Sequence, residues 1–281
     1  MRFRVLGVIC GLAVASGVAG CSETSEESEP PGEVSEVSMG GIAWEFTLEG
    51  GYGRIVDATV SILERPELTT TTNDEGEFTI EGLPVGTDAT FVLEGEGYPL
   101  AQSKTHTVPA DDVTDLTFQV PNDELYALIE FGLDFTSDPE KCQMVSTFTR
   151  DGKTIGDPGP HGQAGAVLGI ELPDGGSIEE GPIYFNEDVL PDRSRTFSSL
   201  DGGVLILNAD PGEYTLSASC VSDPDLRAAF LEEYRPDDEP DDDLRCQTED
   251  VEFEAVRMKC RPGVFLNASP SYGLQALPPA E

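Results

Sequence analysis

Basic side chains are scarce: 16 Lys plus Arg stand against 54 Asp plus Glu, for a formal net charge of −38. Nucleic-acid binding needs clustered cations against phosphate, so it is excluded, as is electrostatic adhesion to an anionic lipid surface. Histidine is nearly missing, with only His106 and His161. A metallopeptidase-type set of two histidines and a carboxylate therefore has little to draw on, and no catalytic, metal-ligating or cofactor-binding residue is assigned. No Gly-x-Ser-x-Gly elbow and no Cys-x-x-Cys spacing occurs. Both histidines lie near turn residues and read as surface-loop side chains. Trp44, the only Trp, alternates with apolar neighbours and reads as buried rather than as a sugar platform.

What is present is still enough to fold. The chain is 38% hydrophobic, and its 30 Gly and 21 Pro punctuate β-branched and aromatic runs, which points to short strands and an all-β architecture. At the N-terminus Arg2 and Arg4 precede an apolar stretch, Val5 to Val18, broken by glycines and too short for a comfortable span. Residues 1–20 read as a signal peptide. Val18-Ala19-Gly20-Cys21 resembles the bacterial lipobox at all four positions. That resemblance implies cleavage before Cys21, a diacylglycerol on its thiol and a palmitate-type acyl group on its new amine, hence a lipoprotein. Ser22, where some lipoproteins carry Asp, implies by the enteric rule the outer membrane of a Gram-negative envelope. The expected membrane partner is thus reached through lipid alone. Residues 21–39, rich in Glu, Ser, Pro and Gly, read as a disordered acidic tether.

Period-two alternation follows. Ile42, Trp44, Phe46 and Leu48 are expected on one core face, continued by Val60 and Ile62, Phe78 and Ile80, then Leu116, Phe118 and Val120. Turns fall at Asn73-Asp74-Glu75-Gly76, Gly82-Leu83-Pro84 and Gly95-Glu96-Gly97. The segments Asp57-Ala58-Thr59-Val60, Thr72 to Ile80, Gly82 to Gly86 and Gly95-Glu96-Gly97-Tyr98 resemble, in that order, the motifs of the carboxypeptidase regulatory-like domain. Asp57 stands where a Gly is usual and Asn73 where an Asp is usual. The resemblance implies a transthyretin-type β-sandwich over residues 40–121.

Thr72 to Gly86 aligns with Ser198 to Gly212 at a constant offset of 126, and Asp57 to Val60 aligns with Gly165 to Leu168 at 108. The 18-residue difference places an insertion within Asp174 to Arg195. The expected fold is therefore two tandem transthyretin-like sandwiches, the second over 136–281, joined by a short linker helix within 122–135. Asn122 or Asp123 would cap that helix and Gly132 would end it. Asp223 to Asp250, with twelve acids against Arg227, Arg235 and Arg245, reads as a solvated loop.

Setting aside Cys10 and Cys21, four cysteines remain: Cys142, Cys220, Cys246 and Cys260. An even number in an exported chain implies two disulfides, for which three pairings are possible. The pairing expected is Cys142–Cys260, from the first and last strands of the second domain, with Cys220–Cys246 closing the acidic segment. Related folds offer no ready activity: hydroxyisourate hydrolases need several histidines, and intradiol dioxygenases a His-x-His pair with two tyrosines. The acidic run 237–243 lacks the ordered ligands of a Ca²⁺ loop. The expected function is a non-catalytic structural or binding module of the envelope, with an unidentified protein or carbohydrate partner and no cofactor. The alternatives are a carbohydrate- or Ca²⁺-binding adhesion module, and an enzyme whose site lies on the loops of the second domain.

Overall fold

Among the described residues, short alternating runs between turn residues become seventeen strands. The computed structural model describes residues 35–46, 52–154, 156–157, 160–234, 242–248, 250–269 and 271–279, all within one compact unit, Val34–Glu281. The signal segment, Cys21 and the centre of the acidic run at 235–241 lie outside the described residues. The first half holds β1 (Glu36–Phe46), β2 (Tyr52–Arg54), β3 (Thr59–Ile62), β4 (Arg65–Thr71), β5 (Glu77–Pro84), β6 (Asp88–Glu94), β7 (Ala101–Thr107) and β8 (Val113–Pro121). Helix α1 (Asp123–Gly132) leads to β9 (Cys142–Thr149), β10 (Ala166–Glu171), β11 (Ile178–Phe185), β12 (Pro191–Asp192), β13 (Gly203–Ala209) and β14 (Gly212–Cys220). Helix α2 (Pro224–Glu233) and a 3-10 segment (Asp242–Gln247) precede β15 (Val256–Cys260), β16 (Phe265–Asn267) and β17 (Leu274–Gln275). The result is an all-β sandwich architecture with a short helix between its halves.

Each half pairs its strands in the same way. In the first, β1 lies between antiparallel β5 and parallel β8, while β3 pairs β6 and β6 pairs β7. In the second, β9 lies between antiparallel β13 and parallel β16, while β10 pairs β14 and β14 pairs β15. Gly76 and Gly202, 126 residues apart, take φ of +73° and +81° at equivalent hairpin turns, a conformation in which a Cβ is strained. The inserted residues supply β11 and β12. Whereas β4 pairs β3, β11 has crossed to the other sheet and pairs β13. The two halves are joined edge to edge: β7 bonds to β16 over Ala101–Ser103 and to β15 at Thr105, so one hydrogen-bonded sheet runs through both.

Four sequence expectations need correction. Strand β1 begins at Glu36, inside the segment read as tether, because Val37 and Met39 alternate into the first core. Its core face is also the opposite of the one expected. Val37, Met39 and Ala43 are buried there, whereas Ile42, Trp44 and Phe46 are half-buried on the outer face. Between Met39 and Ala43 that face has no room for a side chain, because the β8 backbone comes so close: a Cβ on Gly41 would meet the Leu116 carbonyl oxygen at 1.5 Å. The third correction concerns 224–233, read as loop but helical. Pro224 opens the helix, Asp223 accepts the Asp225 and Leu226 amides, and Phe230 is fully buried against Phe197 and Tyr234. The fourth is His106, which lies within β7 with its ring edge-on to Phe91 rather than on a surface loop.

Leu48 lies outside the described residues, and the remaining expected core positions are buried: Val60, Ile62, Phe78, Ile80, Leu116, Phe118 and Val120 join one cluster. A second cluster fills the other half. Asn122 caps α1 by accepting the Leu125 amide at 2.8 Å, and Leu133, just past the helix, packs on Ile183, Leu205 and Leu207. The sulfurs of Cys142 and Cys260 are bonded, linking β9 to β15, and Cys220 is bonded to Cys246 in the 3-10 segment.

Candidate functional site

The run Gly203-Val204-Leu205-Ile206-Leu207 does not alternate, and every residue of β13 is buried. Val204 and Ile206 enter the core of the second half; Leu205 and Leu207 point to the opposite face. That opposite face, shared with Val145 and Thr147 of β9 and Phe265 and Asn267 of β16, is the floor of a cavity of about 790 Å³. Phe46 and Pro121 from the first half, Tyr126 and Ile129 of α1, and Phe135 form its apolar walls. Tyr126 is fixed by an edge-on contact with Phe265 and a 2.8 Å hydrogen bond between its hydroxyl and Ser137 Oγ. The β11–β12 turn, carrying Glu187 to Leu190, and the turn at Leu200 and Asp201 complete the rim.

The polar groups on the floor are saturated by one another. Asn267 Nδ2 donates to the Gln119 carbonyl at 2.8 Å, Asn267 Oδ1 accepts the Ser269 amide, and Thr147 and Ser269 hydroxyls share a 2.9 Å bond. Gln143 and Asn208 exchange bonds of 2.6 and 2.8 Å. The rim is acidic: Asp157, Glu187, Asp188 and Asp201 line it, and among the described residues no Lys or Arg does. Two of these carboxyls differ sharply. Asp157 accepts the Thr154 amide at 2.6 Å, which holds its carboxyl below the usual range, helped by the Thr154 hydroxyl and the nearby charge of Lys153. Asp201 is mostly desolvated, and burial pushes its carboxyl up to about 6 even though the Gly203 amide donates to it at 3.0 Å.

The structure thus brings His161 into the same cavity as four carboxylates, although among the described residues no three metal-binding side chains converge where one ion could sit. His106 lies elsewhere. Its Nε2 is sealed without a hydrogen-bond partner among the described residues, and burial pushes the imidazole down to about 3. The Asn73 turn is held by its own side chain, whose Oδ1 accepts the amides of Glu75 and Glu77 at 3.0 and 2.8 Å. Trp44 is half-buried with the Arg54 guanidinium 5.3 Å from its ring centre, so a sugar stacking there would first displace Arg54. Cys142, Cys220, Cys246 and Cys260 are buried and hold the second half together away from the cavity wall. Among the described residues no helix is long and apolar enough to cross a membrane.

Sequence reading missed the cavity because its walls come from positions far apart, such as Phe46, Tyr126, Asp201 and Phe265. The one signal was local: four consecutive apolar residues at 204–207 mean a strand covered on both faces.

With this geometry in hand, comparison with known proteins yields one sequence match. Residues 53–121 match the carboxypeptidase regulatory-like domain. The match covers about a quarter of the chain and runs from β2 to the end of β8, so the regulatory-like half supplies Pro121 and Gln119 to the cavity while β1, with Phe46, precedes the matched residues. No curated protein matches the chain. Three solved structures are similar over much of it. The Bacillus anthracis TIE protein is 12% identical with a TM-score of 0.23, covering 85% of this chain and 34% of that one. Shaft pilin SpaA from Lactobacillus rhamnosus GG is 13% identical with a TM-score of 0.24, covering 88% and 98%. GBS52, the minor pilin of Streptococcus agalactiae, is 9% identical with a TM-score of 0.22, covering 87% and 98%. The chain spans about a third of the length of the first of these. Likeness at this level carries no statement about activity.

Proposed function

We propose that the chain is a lipid-anchored, non-catalytic binding module of a bacterial envelope, held at the outer membrane through Cys21. The observation that carries the binding reading is the cavity of about 790 Å³ between the outer face of β9, β13 and β16 and the regulatory-like half. Its size suits a small-molecule site, and its walls are apolar with a few placed polar groups. The saturated floor favours holding over chemistry: its hydroxyls and amides are engaged with one another rather than free to attack or to exchange protons. The regulatory-like match is compatible with a scaffold role, since the fold itself fixes no chemistry and function lies in the site grafted on it.

Two measurements test this. Replacing Cys21→Ser should shift the protein from the membrane to the soluble fraction of lysed cells; unchanged membrane association would remove the lipid anchor. A photoreactive side chain at Ile129, on the cavity wall, should crosslink an occupant in intact cells that the same group at exposed Glu67 does not. Identical adducts at both positions would count against the cavity as the binding site.

A second reading has one observation in its favour: His161 shares the cavity with Asp157 and Asp201, whose carboxyls are shifted in opposite directions. Such a split is one way of arranging an acid and a base. Turnover of ester or glycoside substrates that is lost in both His161→Ala and Asp201→Asn would establish it, and absence of turnover in the parent chain would remove it.

A further inference from the structure

The cavity combines a large apolar volume with a rim of a single charge sign. Apolar walls alone would take any greasy body, so the charge pattern decides what else the ligand carries. Four carboxylates line the rim, and among the described residues no Lys or Arg lines the cavity to receive an anion. Three of the four have other roles or lie on an open turn. Asp157 is held by the Thr154 amide and hydroxyl, and Glu187 and Asp188 sit in the β11–β12 turn, where Asp188 is exposed. Asp201 differs from these. It is half-buried at the cavity rim, forms no ion pair among the described residues, and receives a single backbone donor, the Gly203 amide. A desolvated carboxylate with one neutral donor is an unfavourable arrangement that an arriving cation would relieve.

Resting on the binding-module reading above, the geometry points to an organic cation as the ligand: a small apolar or aromatic body seated against Phe46, Phe135, Leu205 and Phe265, with one ammonium group placed at Asp201. The volume sets the scale, since roughly 300–1,000 Å³ accommodates one compact molecule rather than a folded partner. Aromatic walls suit an ammonium as well as a hydrocarbon, because ring faces attract cations. An anionic amphiphile would meet like charge around the rim, at a cost that grows as water is excluded.

The test uses the full chain carrying Cys21→Ser and three calorimetric probes with one common body: naphthylbutyl-trimethylammonium, naphthylbutanol and naphthylbutyrate. The ammonium should bind about tenfold more tightly than the alcohol and about a hundredfold more tightly than the carboxylate. Asp201→Asn keeps a side-chain oxygen for the Gly203 amide and removes only the charge. It should bring ammonium and alcohol within about twofold of each other. Leu205→Trp should abolish binding of all three by filling the cavity; Val145→Phe serves the same end if the first variant melts as a misfolded chain. Equal affinities, as expected if the cavity simply holds an uncharged alkyl chain, would overturn the cation assignment and leave the binding module standing. So would a preference for the carboxylate, or an ammonium preference that survives Asp201→Asn. Failure of every probe to bind the parent chain, or binding untouched by both cavity-filling variants, would overturn the cation assignment together with the cavity as a binding site.

Discussion

The hairpin turns at 73–76 and 199–202 occupy the same place in two copies of one β-unit, yet their surroundings are opposite. Asn73, Asp74 and Glu75 are exposed to water. In the second copy Ser199 is fully buried, and the Gly162 amide donates to the Leu200 carbonyl at 2.9 Å. The loop that carries Gly162 covers the turn so closely that a Cβ there would meet the Gly202 nitrogen at 2.3 Å. Both turns keep the same backbone, with a left-handed glycine in the last position. The difference lies in what was added around the unit: the loop at 150–163, the inserted β11 and β12, and α1. The repeat therefore provides a frame, and desolvation imposed by its coverings makes one copy of a turn into the rim of a cavity.

The largest test of that contrast is covalent. The second half carries both disulfides, and Cys142–Cys260 closes a separation of 118 residues; the first half relies on its apolar cluster. Replacing both partners, Cys142→Ala with Cys260→Ala, should cost about 2–5 kcal/mol in urea unfolding. Hydrogen exchange should show β9 and β15 losing protection while β3 and β4 retain theirs. Equal loss in β3 would mean that β7, bonded to β15 and β16, makes the halves a single cooperative unit.

The two halves should also respond to pH with opposite sign. In the first, His106 is held neutral, with its pKa pushed from 6.5 down to about 3 by burial and the Lys104 charge. The unfolded chain takes up this proton first, so the stability it contributes is complete above pH 6.5 and drains away as pH falls towards 3. His106→Phe should flatten that acid limb, by on the order of 2–3 kcal/mol at pH 4. In the second half Asp201 is raised from 3.8 to about 6, so its contribution is complete below pH 3.8 and is lost as pH rises through 6. Asp201→Asn should accordingly raise stability at pH 7 by on the order of 1–2 kcal/mol and leave it unchanged at pH 3. Stability curves for the two variants that move in the same direction between pH 4 and pH 7 would break the contrast.

Much of the frame was legible because its signals are local. Phe78 and Ile80, or Leu116, Phe118 and Val120, alternate against polar partners, and Asn122 with Gly132 marks the ends of α1. The phase of β1 was not legible. Both of its faces carry apolar residues, and size favoured Ile42, Trp44 and Phe46, whereas Met39, Gly41 and Ala43 face inward, Gly41 because the β8 backbone leaves no room for a Cβ. Helix α2 was masked by its acids: Phe230 is its only fully buried residue, so no apolar stripe announces it. Of the candidate site, only the unbroken run at 204–207 could be seen. The covering of the Asp201 turn depends on a chain segment remote in sequence, since a Cβ on Gly162 would meet the Asp201 carbonyl oxygen at 2.5 Å, and no spacing encodes that.

The smallest effects compare the two turns directly. Asn73 Oδ1 accepts two amides, but both are exposed and water can replace the side chain. Asn73→Ala should therefore cost only about 0.5–1 kcal/mol. Its counterpart Ser199 donates through Oγ to the Phe185 carbonyl at 2.7 Å and accepts the Asp201 amide at 3.2 Å, in a place closed to solvent. Ser199→Ala leaves a carbonyl and an amide without partners there, and the cost should reach about 1–3 kcal/mol. Urea midpoints for the two variants decide the matter. A larger loss from Ser199→Ala is what burial of the second turn requires; equal losses would mean that water reaches both turns alike, and the argument for a dry rim at Asp201 would fall with it.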